Sequence, residues 1–162
     1  MASTGLERFR AAQADARQGY LAALAELRTT GKRSHWIWYI FPQLAGLGHS
    51  PEARRYGLAG AAEARAYLED FELRARLLEC TTAVAERLEQ GWSLLQIMGS
   101  PIDALKLVSS LTLFERVSDQ LLRTNSEAEY LAVREAAERV LTAASSQGYP
   151  RCSFTTRAVA GI

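Results

Sequence analysis

An acid, a lysine and several hydroxyls recur at helical spacing within residues 101–114. Asp103, Lys106 and Ser110 stand at positions i, i+3 and i+7, so they share one face of a predicted helix. A carboxylate, an ammonium group and hydroxyls such as those of Ser109 and Thr112 can orient a ribose and a phosphate. We therefore take Asp103 and Lys106 as catalytic candidates and the three hydroxyl residues as ligand-binding candidates. The alternative is that Asp103 caps the helix, Lys106 pairs with it at the surface and the hydroxyls are solvated.

A second cluster places basic and titratable side chains beside large aromatic ones in residues 32–43. A flat heterocycle that carries phosphates needs aromatic faces and positive charge together, and this composition supplies both. The alternative is an edge of the hydrophobic core, because Trp and Tyr are more often packing residues with a solvated polar tip. The ligand-binding candidates of this cluster are Lys32, Arg33, His35, Trp36, Trp38, Tyr39 and Gln43.

The histidine of this cluster, His35, is expected to be a polar anchor rather than a catalytic base. A neutral imidazole donates a hydrogen bond from one nitrogen and accepts one at the other. It could therefore link the aromatic segment to the helix that bears Asp103, or to a ligand hydroxyl. The alternative is an imidazole that is hydrogen-bonded to a backbone carbonyl.

A loop with two glycines precedes a predicted helix start in residues 46–51. Ser50 suits the N-cap and Pro51 suits the first helical position. The backbone N–H groups of that helix start, together with Arg55, could converge on an anion. Ser50 and Arg55 therefore join the ligand-binding candidates, although two glycines are also common in loops that bind nothing.

The two polar clusters are far apart in the sequence, and we predict that they meet in one composite site. The prediction is that Lys32, His35 or Trp36 lies within side-chain reach of Asp103, Lys106 or Ser110.

Helices must position these clusters, and hydrophobic periodicity predicts them along most of the chain. A long first helix is expected from Leu6 to about Leu27, with Thr4 as its cap. A short helix or turn is expected in residues 32–44. Further helices are expected from Pro51, from Ala61, around Leu73 to Leu88, from Ser93, from Pro101 and after Asn125. The one candidate strand lies in the tail, residues 145–162.

Length and composition set the broad class. The 162 residues are 48% hydrophobic and 23% charged, which predicts one all-α domain over residues 1–162, compact and of about six helices. A net charge of +1 excludes nucleic acid as the main partner. We expect a cytoplasmic protein with no membrane span, no metal and no cofactor, in which Cys80 and Cys152 are reduced thiols.

Long motifs in the chain resemble one known family. They are GKRSHWIWYIFPQ at residues 31–43, GLGHSP at 46–51 and GSPIDALKLVSSLTLF at 99–114. They are similar to the bacterial domain-of-unknown-function family eighteen-ten, whose members are sometimes mislabelled calpastatin. The resemblance covers residues 6–114, and residues 115–162 diverge from it. It implies an all-helical fold without a settled activity. A fainter likeness is to the NADAR superfamily of ADP-ribose-type N-glycosidases.

Two functions follow as hypotheses. The first is a pocket for a phosphorylated nucleotide-like small molecule of the ADP-ribose or NAD type, in which Asp103 would assist hydrolysis of an N-glycosidic bond. The second is a non-catalytic interaction module, in which aromatics of residues 36–41 form a contact patch for another protein or a second copy. The expected oligomeric state is a monomer or a weak homodimer.

Overall fold

Ten α-helices follow one another in residues 5–162, the part of the chain that this computed structural model describes. They are α1 (Glu7–Gln13), α2 (Tyr20–Arg28), α3 (Ile37–Ile40), α4 (Pro51–Tyr56), α5 (Ala61–Glu69), α6 (Phe71–Glu89), α7 (Leu94–Met98), α8 (Pro101–Leu122), α9 (Ala128–Ser146) and α10 (Ser153–Ala158). The all-α prediction is confirmed for this part of the chain. The prediction of about six helices is wrong, because several helices span less than two turns and show no apolar repeat.

Side chains at the helix starts end the intervening loops as the sequence predicts. The Ser50 hydroxyl accepts a hydrogen bond from the Ala53 N–H, and Pro51 occupies the first helical position of α4. Ser93 and Gln96 form a reciprocal capping box at α7. The Ser100 hydroxyl accepts from the Asp103 N–H and so starts α8 at Pro101.

The predicted long first helix is wrong, because the chain turns between α1 and α2. The Asp15 carboxylate accepts hydrogen bonds from the backbone N–H groups of Arg17 and Gln18, an arrangement that competes with helix continuation. Gly19 follows, and a Cβ there would lie 2.2 Å from the Asp15 carbonyl oxygen. The predicted cap, Thr4, lies outside the described residues.

The long helix α8 is the centre of the fold. It packs against α3, α5, α7, α9 and α10, and every residue from 107 to 114 is buried. The alternative of solvated hydroxyls is therefore wrong in this stretch: Ser109, Ser110 and Thr112 are all buried. Periodicity could not show this, because small hydroxyl side chains are compatible with both a surface and a crowded interior.

A single parallel bridge between Leu44 and Leu58 is the extent of β pairing within residues 5–162. The Leu58 N–H donates to the Gln43 carbonyl at 2.9 Å, and the Ala45 N–H donates to the Leu58 carbonyl at 2.8 Å. These two bonds hold Gln43 in place between α3 and α4. The strand expected in the tail is wrong, since the tail folds as α10 and packs against α8.

Candidate functional site

Two glycines allow the first polar cluster to reach the second. Gly31 has φ +82°, and a Cβ there would lie 2.5 Å from the Gln96 carbonyl oxygen. Gly99 has φ +81°, and a Cβ there would lie 2.8 Å from the Lys32 carbonyl oxygen. The Lys32 N–H donates to the Ile97 carbonyl at 2.7 Å. The loop before α3 therefore lies directly against the α7–α8 turn.

This contact brings both lysines of the chain to one carboxylate. The Lys32 ammonium lies 2.8 Å from one oxygen of Asp103, and the Lys106 ammonium lies 3.7 Å from the other. The Lys32 side chain is only 6% exposed and that of Asp103 is 18% exposed. Lys32 also donates to the Ser34 carbonyl at 2.6 Å. The prediction that the two clusters meet is confirmed by the Lys32–Asp103 pair.

Each lysine also faces an indole ring. The Lys32 ammonium is 5.1 Å from the centroid of the Trp36 ring, and the Lys106 ammonium is 4.8 Å from that of Trp38. Both distances are within the range of cation–π attraction. Trp36 is fully buried, whereas Trp38 is half-buried. The Lys106–Trp38 pair is therefore the one that a ligand can approach.

A narrow cleft with an enclosed volume of about 10 Å³ opens beside that pair. Its walls are mainly apolar and aromatic, and Lys106 and Gln43 add a charge and an amide. The lining residues are Ile37, Trp38, Phe41, Gln43, Ala53, Tyr56, Gly57 and Lys106. Predominantly apolar walls with a few convergent polar groups are typical of small-molecule sites.

One polar group of the cleft wall is buried without a partner in residues 5–162. The Trp38 indole N–H has no acceptor among them. A buried donor without a partner is costly, by about 1–3 kcal/mol, and is rare in folded proteins. The Gln43 residue is 9% exposed, and its amide forms no hydrogen bond with these residues but is not sealed from water. A ligand with oxygen acceptors could bond both groups.

Glu26 positions the first cluster and is not among the residues that the sequence predicts for the site. One oxygen of its carboxylate accepts from the backbone N–H of Arg33 at 2.6 Å and of Ser34 at 2.8 Å. The same oxygen accepts from the Trp36 indole N–H at 3.2 Å. No local pattern marks Glu26, because it lies on α2 as one of several charged helix residues.

The carboxylate of Glu26 makes the stability of this loop depend on pH. Burial alone would raise the pKa of Glu26, but the hydrogen bonds from Arg33, Ser34 and Trp36 outweigh it and leave the pKa below its usual value. A lowered pKa in the folded state contributes stability above the unfolded pKa, and that contribution is lost as the pH falls through the folded pKa.

We therefore expect Glu26→Gln to lower the free energy of unfolding by about 1–2 kcal/mol at pH 7, since the amide oxygen still accepts but carries no charge. Urea unfolding of the wild type and the variant at pH 7 and at pH 3 measures this, and the difference should shrink at pH 3. An equal difference at both pH values would contradict the role of the charge.

Other members of the first cluster are packing residues. Trp36 is enclosed in the core, and Tyr39 is buried with its ring 5.3 Å from that of Tyr56. The Tyr39 hydroxyl donates to the Gln18 carbonyl at 2.6 Å, and burial raises its pKa to about 12. For Trp36 and Tyr39 the core-edge alternative is the observed one. Because both side chains are buried, neither can contact a ligand in the cleft directly.

Four further candidates lie on the surface away from the cleft lining. Arg33 and His35 are exposed, and the His35 imidazole makes no hydrogen bond with residues 5–162. The expected bridge from His35 to the helix of Asp103 is therefore wrong, and Lys32 makes that connection instead. Ser50 caps α4, and the exposed Arg55 lies over Tyr56.

Two of the three hydroxyls of α8 donate hydrogen bonds to the backbone of the same helix. The Ser109 hydroxyl donates to the Leu105 carbonyl at 3.0 Å and that of Thr112 to the Val108 carbonyl at 2.7 Å. Thr112 also accepts from the Cys152 N–H at 3.2 Å, which fastens the tail to α8. The Ser110 hydroxyl is fully buried and has no partner in the described chain. None of the three hydroxyls lines the cleft beside Trp38.

Metal sites, membrane-crossing helices and disulfides can also be assessed for residues 5–162. They contain no cluster of three or more His, Cys, Asp or Glu side chains that could hold a metal ion. None of their helices has both the length and the apolar character that a membrane crossing requires. Cys80 and Cys152 are both free thiols.

Comparison with known proteins places the chain in a family but assigns no activity. No curated protein is significantly similar to it. A solved structure that it resembles is described as the crystal structure at 1.38 Å of the conserved hypothetical protein Rv1873 from Mycobacterium tuberculosis. The two share 39% sequence identity over 97% of each chain, with a TM-score of 0.75. The comparisons give no support to a likeness with the NADAR superfamily. Residues 3–139 match the family described as protein of unknown function (DUF1810), and the chain belongs to that family.

Proposed function

We propose that this protein binds a phosphorylated, nucleotide-like small molecule at the cleft beside Trp38. The observation that carries the proposal is the buried, unpartnered Trp38 indole N–H beside the Lys106 ammonium, with the Gln43 amide in the same lining. A flat ring suits the aromatic walls, and oxygen acceptors and negative charge suit the polar groups. The cleft encloses only about 10 Å³, room for one small polar group, so the ring of a ligand would lie at its mouth.

In this proposal Asp103 is a positioning residue. Its carboxylate is held between Lys32 and Lys106 and does not line the cleft. It fixes the direction of the Lys106 ammonium, which faces the ligand. We therefore propose binding as the function, and hydrolysis of an N-glycosidic bond of ADP-ribose or NAD is a result that the same experiment would detect.

The interaction-module hypothesis has less support. Trp36, Tyr39 and Phe41 are buried in the core, so they cannot form the predicted contact patch. Only Trp38 of that group is partly exposed, and its accessible face belongs to the cleft. The oligomeric state, expected to be a monomer or a weak homodimer, is a separate question that the solution mass answers.

The test is titration of the protein with AMP, ADP-ribose and NAD, with the Trp38 indole N–H signal followed by NMR. We expect AMP to shift that signal and Lys106→Gln to weaken AMP binding about 10- to 100-fold, because a charged hydrogen bond to phosphate is lost. Gln43→Met, which keeps the volume and removes the amide, should weaken binding up to about tenfold.

The control is Arg17→Gln, which removes one positive charge from an exposed turn and should leave the affinity unchanged. Chromatography of the NAD and ADP-ribose samples should show no released base. If none of the three ligands shifts the Trp38 signal at millimolar concentration, the proposed function is wrong.

A further inference from the structure

An open apolar trough of about 310 Å³ adjoins the cleft. Its lining is Gln43, Leu47, Ile102, Leu105, Lys106 and Ser109. Two of its walls are apolar side chains on the surface of α8, with Ile102 66% exposed and Leu105 54% exposed. Adjacent exposed aliphatic side chains beside a polar pocket mark a binding surface more often than chance exposure does.

The cleft and the trough share two residues. Lys106 and Gln43 line both, so their polar groups stand at the junction between an aromatic slot and an aliphatic surface. The Gln43 residue is 9% exposed, and its amide forms no hydrogen bond with residues 5–162 and stays open to water. The remaining polar group of the trough is already satisfied, because the Ser109 hydroxyl donates to the Leu105 carbonyl. An anion bound at the junction would therefore have the aliphatic side chains of the trough next to it.

We infer that the trough takes an aliphatic group of the ligand, attached to the anionic group that Lys106 holds. This inference rests on the proposed function and names the ligand class as a phosphate or similar anion that carries an alkyl or acyl chain. Leu47, Ile102 and Leu105 offer no hydrogen bonds to a second ribose or a diphosphate. An aliphatic chain would increase the affinity, because its contact with these side chains removes apolar area from water.

A second copy of the chain is a less suitable occupant. Stable protein interfaces bury about 800 Å² on each partner, whereas the apolar part of this trough consists of three side chains. Such a contact would also bury the charge of Lys106, which costs free energy unless a carboxylate of the copy pairs with it.

The experiment titrates the whole protein with ethyl, butyl and hexyl phosphate and follows the Trp38 indole N–H signal. Full burial of one methylene raises affinity roughly fourfold. The trough is open on one side, so we expect roughly twofold for each methylene and about fourfold from butyl to hexyl phosphate. Leu105→Asn and Ile102→Asn should remove most of this dependence on chain length. Leu21→Asn, at a side chain 75% exposed on α2, should leave it unchanged.

The outcomes separate this inference from the proposed function. If AMP binds but affinity does not rise from ethyl to hexyl phosphate, or the rise survives in Leu105→Asn and Ile102→Asn, the inference is overturned and the proposed function stands. If the chain-length dependence appears and AMP does not bind, the inference about the trough is supported and the proposed nucleotide-like ligand is wrong. A doubled solution mass that Leu105→Asn abolishes would assign the trough to a second copy and overturn the inference.

Discussion

Replacing Lys32 by methionine is expected to lower the free energy of unfolding by about 3 kcal/mol. Methionine keeps most of the side-chain volume but removes the ammonium that lies 2.8 Å from Asp103. Removing one partner of a buried ion pair costs about 3–5 kcal/mol, because the other charge stays buried without compensation. The lower figure applies here, since Asp103 retains Lys106 at 3.7 Å and is partly exposed. Urea unfolding at pH 7 measures the loss.

A double-mutant cycle decides whether the loss belongs to the pair. Asp103→Asn in the Lys32→Met background should cost far less than in the wild type, with a coupling energy of about 2 kcal/mol. The control is Arg65→Met, which breaks the exposed pair of Arg65 with Glu69 and should change stability by less than about 0.5 kcal/mol. Additive effects of the Lys32 and Asp103 substitutions would show that the pair does not form.

Gly31→Ala is expected to lower the free energy of unfolding by about 3–4 kcal/mol. The left-handed backbone at φ +82° costs a residue with a Cβ about 1–2 kcal/mol. The added Cβ would also lie 2.5 Å from the Gln96 carbonyl oxygen and 3.2 Å from that of Ile97. Both are backbone atoms, so the loop must move away from the α7–α8 turn. Thermal or urea unfolding measures the change.

Gly148→Ala is the matched control for this substitution. Gly148 has φ +91°, but no atom lies within 4 Å of an added Cβ, so only the conformational cost of about 1–2 kcal/mol applies. The difference of about 2 kcal/mol between the two variants measures the close approach of the loop to α7. Equal losses in both variants would mean that Gly31 is needed for its backbone conformation alone.

Several local features were predictable from the sequence because they depend on neighbours within one helical turn. Ser50 caps α4 where the pattern places it, Pro51 occupies the first helical position, and helices begin at Leu94 and Pro101 close to the predicted starts. A hydroxyl that bonds an N–H three residues ahead needs no distant part of the chain. The predicted long first helix is wrong for a reason that is also local. The Asp15 carboxylate accepts from N–H groups two and three residues ahead, and apolar spacing gives no sign of that turn.

The sequence by itself therefore determined the helical class, most helix starts and the residue types that form the site. It also carried the prediction that Lys32 meets Asp103, but only as one of several allowed pairs. Tertiary structure alone decided that Trp36 is buried while Trp38 lines the cleft, and that Glu26 holds the loop. The physical reason is that the exposure of a side chain on the short α3 depends on which elements cover it. Among those elements, α6 and α8 lie far away in the sequence, and spacing within α3 carries no information about them.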